Sequence, residues 1–331
     1  MSDRVPTSVA NAVRSVLVTG HGGFSGRHCI EFLAGLSPRP RIVGLGRGAD
    51  RTGLVDTEYV GAIADRDLLV RALRDAQPDV VIHLAGALPP APAPELWADN
   101  VGGAFHLLDA LRLCCGAVRV LVVGSAAEYG PTGRQAISER HLAQPVSEYG
   151  RSKLAQTLLC RSLAAERGLR VVVARAFNLF GPGMAANTVV GAACSQLAGG
   201  TPPDALRLGR LDSFRDFLDI RDAVALYWQL ALRGEPGAIY NVCSGRARQV
   251  GDVIDILLGL HGAYPGQDHV RTRFVSSDDV DYSCGDPGKL AALLGGLALR
   301  DFETSLRETL DSFSASAPAS GRQLAGATTS A

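Results

Sequence analysis

The stretch "VLVTGHGGFSGRHCI", residues 16–30, joins a short β-branched run to a glycine-rich turn and then to an apolar helical pattern. A glycine turn at the start of a helix aims backbone N–H groups and the positive helix end at a phosphate. Gly20 suits a tight turn, Gly23 the close approach of a pyrophosphate, and Gly26 the packing of helix on strand. The spacing is GxxGxxG rather than GxGxxG. On its own it also fits an ordinary turn in a chain with 38 glycines.

Outward from this turn, β-branched runs alternate with helix-length stretches through the first half of the chain. Continuous apolar strands separated by helices are typical of a parallel sheet covered on both faces. The sequence therefore predicts an α/β fold built on a doubly wound parallel (Rossmann) sheet. The predicted strands are 16–19, 41–45, 79–84, 118–123 and 169–174, and the predicted helices lie near 24–36, 65–76, 95–113 and 147–167.

After about residue 177 the alternation loosens, which indicates a smaller C-terminal α/β substrate domain. Helices are expected near 188–198, 221–233, 250–260, 287–294 and 303–313, and one strand within 237–245. The small, polar composition of the last residues predicts a disordered tail. The predicted organisation is a flexible N-terminus at 1–14, a dinucleotide-binding domain at 15–180 with returning segments near 215–245, a mostly substrate-binding domain at 181–312, and the tail at 313–331.

Composition excludes several classes of partner. Among 331 residues, 47% are hydrophobic, and Lys plus Arg equals Asp plus Glu at 33 each. This zero net charge gives no electrostatic reason to expect nucleic acid or an anionic membrane. Seven cysteines without CxxC spacing suggest neither a disulfide framework nor a metal site. No signal peptide or bilayer-length apolar run is visible, so we expect a cytoplasmic protein.

The end of the second predicted strand, in "RIVGLGRG" at 41–48, bears on the choice of dinucleotide. An acidic residue there would bind the ribose 2′-OH of NAD. Gly46 stands where the acid is expected, and Arg47 follows it. Because an arginine pairs well with a 2′-phosphate, the sequence predicts NADP(H) as the cofactor. A solvated surface arginine is the alternative interpretation.

A proton-transfer set follows in "SEYGRSKLAQ", where Tyr149 and Lys153 stand four residues apart on a predicted helix and so share one face. Lysine occurs at only two positions in the chain, so the pair is a specific signal. A nearby ammonium favours the phenolate, so we expect Lys153 to lower the pKa of Tyr149. Ser125 follows the fourth predicted strand, where it could hydrogen-bond a substrate carbonyl. A surface i,i+4 pair remains the plain alternative.

With these motifs in place, the chain resembles the extended short-chain dehydrogenase/reductases, the NAD-dependent epimerase/dehydratase family, over roughly residues 15–312. The resemblance rests on "TGHGGFSG", "HLAGA", "NVGGAFHLLDA", "GSAAEYG" and "YGRSK". The segments "RAFNLFGPG", "RDFLDIRDAVALYWQL" and "YNVCSGRA" are most similar to those of GDP-4-keto-6-deoxy-D-mannose reductases. The resemblance to this family implies an oxidoreductase whose catalytic residues are Ser125, Tyr149 and Lys153.

The resemblance also implies binding roles. Asn178, Arg215 and Arg246 would contact a nucleotide-sugar substrate, although Arg246 fits a solvated arginine equally well. Asn100 would order the catalytic helix and its lysine, and a homodimer would form through the helical stretches at 95–113 and 147–167. The implied dinucleotide contacts are Gly20, Gly23, Phe24, Ser25, Gly26, Gly46, Arg47, Ile63, Leu84, Ala85, Gly86, Asn100, Tyr149, Lys153 and Ala176.

Departures from the family pattern narrow the reaction. Ala126 and Ala127 stand where 4,6-dehydratases carry acids, and alanine transfers no proton, so we predict that dehydration is excluded. Glu128 comes one residue too late to be assumed equivalent. Ser276 replaces an arginine expected near the nucleotide. Ala62 replaces the acid that contacts adenine, which leaves that role to the backbone and Ile63.

Three functions follow, in order of preference. The first is NADPH-dependent reduction of the C4 keto group of a nucleotide-linked 4-keto-6-deoxyhexose, with Tyr149 as proton donor. The second is a nucleotide-sugar 4-epimerase with tightly bound NAD, and the third is a non-catalytic NADP-binding sensor or scaffold. His21, inside the glycine loop, has no predicted role.

Overall fold

The structure is a computed structural model, and it describes residues 13–262, 271–272 and 280–316. The predicted N-terminal residues 1–12, Ser276 and residues 317–331 of the predicted tail lie outside the described residues.

A seven-stranded parallel sheet forms the larger part of the molecule. Its strand order is β3-β2-β1-β4-β5-β6-β10, which runs outward from β1 in both directions and confirms the doubly wound fold. The strands are β1 Ser15–Thr19, β2 Arg41–Gly46, β3 Thr57–Val60, β4 Val80–His83, β5 Arg119–Ser125, β6 Arg170–Ala176 and β10 Ile239–Val242.

Helices cover both faces of this sheet and bury its central strands, as the continuous apolar runs require, while the edge strand β3 stays partly exposed. Those running along the sheet and its loops are α1 Phe24–Ala34, α2 Arg66–Ala76, α3 Ala93–Trp97, α4 Gly103–Cys114, α5 Glu148–Arg167 and α7 Ile220–Arg233. One apolar core lies between the sheet and α1 with α7, and includes Ile30 and Trp228. The other lies under α2, α4 and α5, and includes Leu73 and Leu107.

A smaller region packs beside the carboxyl ends of the strands. Its mixed sheet joins β7 Asn178–Phe180, β9 Phe214–Asp219, β11 Ala247–Gln249 and β13 Tyr282–Ser283, and a second pairing joins β8 Arg207–Leu208 to β12 Arg271–Thr272. The helices here are α6 Val189–Ala198, α8 Val250–Leu260 and α10 Phe302–Ser316, whereas α9 Gly288–Leu294 packs its buried Leu290 into the core of the large sheet beside β10. Buried Asp216 on β9 accepts hydrogen bonds from the backbone N–H groups of Ser244, Gly245 and Gly285, which fixes the loops around this sheet.

Three features differ from the sequence-based expectation. The edge strand β3 was not predicted from the sequence, because only alternate residues of this strand are half-buried and the strand has no continuous apolar run. The two- to six-residue strands of the smaller region are missing for the same reason. The tail was expected to begin at 313, but α10 continues to Ser316 because Phe313 still packs against its core. Within the described residues, no helix combines the length and apolar character needed to cross a membrane.

Candidate active site

The glycine loop places the start of α1 at the carboxyl end of β1. Gly20 has a φ of +72°, and a Cβ on Gly26 would lie 2.2 Å from the Gly20 carbonyl oxygen, so both positions require glycine. Gly23 caps α1 without a side-chain hydrogen bond, and the first turn carries no acidic residue. The N–H groups at this helix end therefore face a cavity of about 370 Å³ without a side-chain acceptor. This arrangement fits the pyrophosphate of a dinucleotide.

Most of the predicted dinucleotide contacts line this cavity. They are Gly20, Gly23, Phe24, Ser25, Gly26, Gly46, Arg47, Ile63, Leu84, Ala85 and Gly86. The lining also contains Gly22, Gly48, Gly61, Leu88 and Asp99. Gly61 directly precedes Ala62, at the position where the resemblance implies a contact with adenine. Asp99 stands next to Asn100, and that adjacency was the one sequence signal for it.

Arg47 borders the dinucleotide cavity but already has partners there. Its Nη1 lies 3.3 Å from Glu95 Oε1, and its Nη2 lies 3.1 Å from Asp99 Oδ2. The arginine side chain is 61% exposed, so these ion pairs are screened by solvent. The guanidinium thus lies at the edge of the cavity, held by two carboxylates.

A second cavity, of about 290 Å³, opens at the carboxyl ends of β5 and β6. Ser125, the last residue of β5, and Tyr149, in the first turn of α5, both line this cavity, and the Ser125 hydroxyl is near enough to lower the pKa of the Tyr149 phenol. Ser147 caps α5 by accepting a hydrogen bond from the Gly150 N–H, which fixes where this first turn begins. Asn178 and Arg215 also line the cavity, as the resemblance implies.

The pKa of Tyr149 differs from the prediction. Burial raises the pKa of Tyr149 to about 12, and the Ser125 hydroxyl opposes this rise only in part. The expected lowering by Lys153 is therefore wrong, because desolvation of the phenolate dominates. Lys153 is itself buried and donates to the Val123 carbonyl oxygen at 2.7 Å. Burial lowers the pKa of Lys153 to about 8, although Glu128 opposes the shift.

Glu128 lies behind the cavity rather than in its wall. Its Oε1 accepts the Ser125 N–H at 2.8 Å, and its Oε2 accepts Nε of Arg175 at 2.7 Å in a fully buried pair. Ala126 and Ala127 face the cavity instead. Arg215 is the single charged residue among the described lining residues, which include no carboxylate and no imidazole.

Asn100 connects the catalytic helix to the loop after β4. It lies in a π-helical turn, Ala98–Gly102, between α3 and α4. Its side chain accepts the Ala87 N–H at 2.9 Å, donates to the Ala87 carbonyl at 3.2 Å, and donates to Ser152 Oγ at 2.9 Å. Ser152 in turn donates to the carbonyl of Tyr149 at 2.8 Å. Asn100 lines neither cavity, so its contribution is to position α5.

Two predicted site residues lie elsewhere. Lys153 is enclosed behind the catalytic cavity, and Arg246 lines a separate cavity of about 660 Å³ beside Arg248 and Phe302. Ala176 and Tyr149, expected at the dinucleotide, line the catalytic cavity. The remaining lining residues were not predicted as site residues; they are Gly130, Val146, Ser147, Phe177, Val280 and Ser283. Gly130, Ser147 and Phe177 belong to the motifs "GSAAEYG", "SEYGRSKLAQ" and "RAFNLFGPG", and Ser283 ends strand β13. In the described part of the chain, no group of His, Cys, Asp or Glu could hold a metal ion.

Comparisons with known proteins agree on one family. The model of the NAD dependent epimerase/dehydratase family matches residues 16–243. GDP-6-deoxy-D-mannose reductase from Pseudomonas aeruginosa is 34% identical over 260 residues, covering 73% of this chain and 78% of that protein. UDP-glucose 4-epimerase from Azospirillum brasilense is 30% identical over 301 residues, which cover 84% of this chain and 83% of that protein. The structure of RMD from Pseudomonas aeruginosa complexed with NADPH has a TM-score of 0.79 at 28% identity, covering 92% of this chain and 99% of that chain.

Proposed function

The chain belongs to the NAD dependent epimerase/dehydratase family, and on that premise we propose that it reduces a nucleotide-linked 4-keto-6-deoxyhexose at C4 with NADPH. One observation carries the proposal. The described lining of the cavity that holds Ser125 and Tyr149 brings these two hydroxyl side chains together and contains no carboxylate. Ketone reduction needs one proton for the developing alkoxide, whereas expulsion of a C6 hydroxyl needs acid and base side chains. Two alanines and the enclosed Glu128 do not supply them.

The protein groups have distinct roles in this proposal. When bound, the reduced dinucleotide supplies hydride. With its pKa near 12, Tyr149 is protonated at neutral pH and donates to the carbonyl oxygen. Ser125 orients that oxygen through its own hydroxyl. Lys153 carries its charge below about pH 8 and stabilises the tyrosinate left after proton transfer. Arg215 and Asn178 would bind the substrate diphosphate.

The choice of NADPH rests on the end of β2. Gly46 presents no acid to the ribose, and Arg47 lies at the edge of the same cavity. A 2′-phosphate would have to compete with Glu95 and Asp99 for the guanidinium. Exposed ion pairs of this kind contribute only about 0–1 kcal/mol each, so a doubly charged phosphate can replace them. The NADPH-bound structure of RMD supports the same choice.

Turnover against a substrate panel tests the reaction. Purified protein is offered GDP-, dTDP- and UDP-linked 4-keto-6-deoxy sugars with NADPH, and the product is identified by NMR. We expect one NADPH oxidised per sugar reduced.

Tyr149→Phe should lower kcat by about 10³-fold while NADPH binding persists. Tyr59→Phe, which changes a tyrosine on the edge strand β3, is the matched control. Nearly full activity in Tyr149→Phe would refute the mechanism.

A nucleotide-sugar 4-epimerase is the second candidate, because the Azospirillum epimerase aligns with 84% of this chain. An epimerase would purify with bound NAD and interconvert 4-epimers without net consumption of NADPH. Dinucleotide binding with no turnover on either panel would instead favour the sensor or scaffold.

A further inference from the structure

His21 occupies the interior of the glycine loop. Its side chain is completely buried, and its Nε2 lies 2.6 Å from Glu58 Oε1 on the edge strand β3. The same carboxylate oxygen accepts the backbone N–H of Asp50. One histidine thus connects the phosphate-facing loop to β3 and to the segment that follows β2 and carries Arg47.

The imidazole lies flat against two glycines of β2. A Cβ on Gly44 would meet the ring carbons Cγ and Cδ2 at 2.8 Å, and a Cβ on Gly46 would meet Nδ1 at 3.1 Å. The alternate glycines of "RIVGLGRG" are therefore explained by the ring that covers them. A side chain at 44 collides with the ring, and one at 46 fits only if the ring shifts.

Gly46 is also where a family member that uses NAD would place its acid, at the end of β2 in the dinucleotide cavity. Nδ1 of His21, which faces this position, is buried and has no hydrogen-bond partner among the described residues. A neutral imidazole that donates from Nε2 to the Glu58 carboxylate can only accept at Nδ1, so Nδ1 repels a carboxylate added at 46. The ring therefore displaces that carboxylate, which is not free to accept the ribose 2′-OH.

We propose that His21 is a specificity-determining residue for the dinucleotide. Its imidazole takes the space that an acidic ribose ligand requires and so favours NADP(H) over NAD(H). The inference rests on the NADP(H) preference proposed above, but not on the identity of the sugar.

Direct binding measurements on the whole chain test the coupling between positions 21 and 46. Kd values for NADPH and NADH are measured by calorimetry for Gly46→Asp, His21→Ala and the double variant. Gly46→Asp alone should weaken NADPH binding about tenfold and leave NADH no tighter than in the unchanged protein. The double variant should bind NADH about tenfold more tightly than Gly46→Asp does. If Gly46→Asp alone gains NADH affinity as fully as the double variant, the proposal is wrong.

A second set of single and double variants, compared by thermal unfolding, tests the contact between positions 21 and 46 with milder substitutions. Gly46→Ala adds only the Cβ, so it should lower Tm, and this drop should be smaller in a His21→Asn background, which lacks the ring. A Gly46→Ala variant as stable as the unchanged protein would overturn the steric argument. Because no sugar is used in either cycle, failure of the turnover panel and failure of this inference give separate results.

Discussion

At residue 149 burial opposes ionisation of the phenol, which favours the proposed role of Tyr149 as a proton donor. The tyrosine hydroxyl holds its proton up to a pKa of about 12, while the neighbouring buried lysine loses its proton at about 8. Near neutral pH the pair is a neutral phenol beside a charged amine. That state is suited to donating a proton to a substrate oxygen.

The pH profile of reduction follows from these two values. We expect kcat/KM with NADPH to be constant near neutrality and to fall above about pH 8, because Lys153 loses the charge that stabilises the tyrosinate. Steady-state rates between pH 6 and 10 measure this decline. Lys153→Arg keeps its charge throughout that range. If the active Lys153→Arg variant shows the same decline in kcat/KM above pH 8, the decline belongs to another titrating group.

Arg47 should affect affinity for one dinucleotide only. Arg47→Gln removes the charge expected to pair with the 2′-phosphate, so the Kd of NADPH should rise about tenfold while that of NADH stays unchanged. Fluorescence titration measures both constants. Arg51→Gln, which changes an exposed arginine outside the cavity lining, is the matched control. Equal weakening of the two dinucleotides would contradict a role in phosphate recognition.

Among the elements, the π-helical turn Ala98–Gly102 has the clearest structural task. It directs Asn100 inward, where the amide makes three hydrogen bonds and reaches α5 through Ser152. A buried amide with matched partners fixes the geometry between two elements, because any shift leaves polar groups unpaired.

Removing this connection should loosen α5. Asn100→Ala leaves both backbone groups of Ala87 without their side-chain partner, so we expect a loss of about 2–3 kcal/mol in unfolding free energy. A fall in kcat larger than the change in KM should accompany it, since Tyr149 loses its positioning. Urea unfolding and steady-state kinetics measure the two effects. Val101→Ala, in the same turn, should change kcat little; an equal loss there would mean that the effect is not specific to the amide.

For the whole molecule, the helices beside the active site carry an exposed apolar patch, defined here as Trp97 on α3, Phe105 on α4 and Leu158 on α5. Their exposed fractions are 41%, 40% and 55%. Both α3 and α4 pack against α5, so a partner covering this patch would also contact the helix that carries Tyr149. We propose that a second copy of the chain covers it, in line with the homodimer that the resemblance implies.

Light scattering tests this assembly. The 34.7 kDa chain should elute with a mass of about 69 kDa, twice that of one chain. Leu158→Glu should shift it toward the mass of one chain, because an unpaired charge is costly in an apolar interface. Val60→Glu, on the edge strand β3 and 57% exposed, is the control. A monomeric unchanged protein, or a dimeric Leu158→Glu variant, would exclude this interface.

The sequence by itself determined the sheet, the glycine loop and the tyrosine–lysine pair, because each is a local pattern. Apolar runs and their spacing specify buried strands and helices, and a four-residue interval places two side chains on one helix face. Weakly apolar strands such as β3 were not predicted, because they lack a continuous apolar run.

Only the tertiary structure decided how these parts act. Glu128 is enclosed because β5 and β6 bring Arg175 against it, a contact between residues 47 positions apart. The pKa of Tyr149 rises because segments distant in the sequence pack around it and partly bury it, which spacing along one helix cannot specify. His21 touches two glycines more than 20 residues away, and Arg246 lines a cavity apart from Tyr149. Contacts and solvation of this kind depend on the packing of distant segments, so they exist only once the chain has folded.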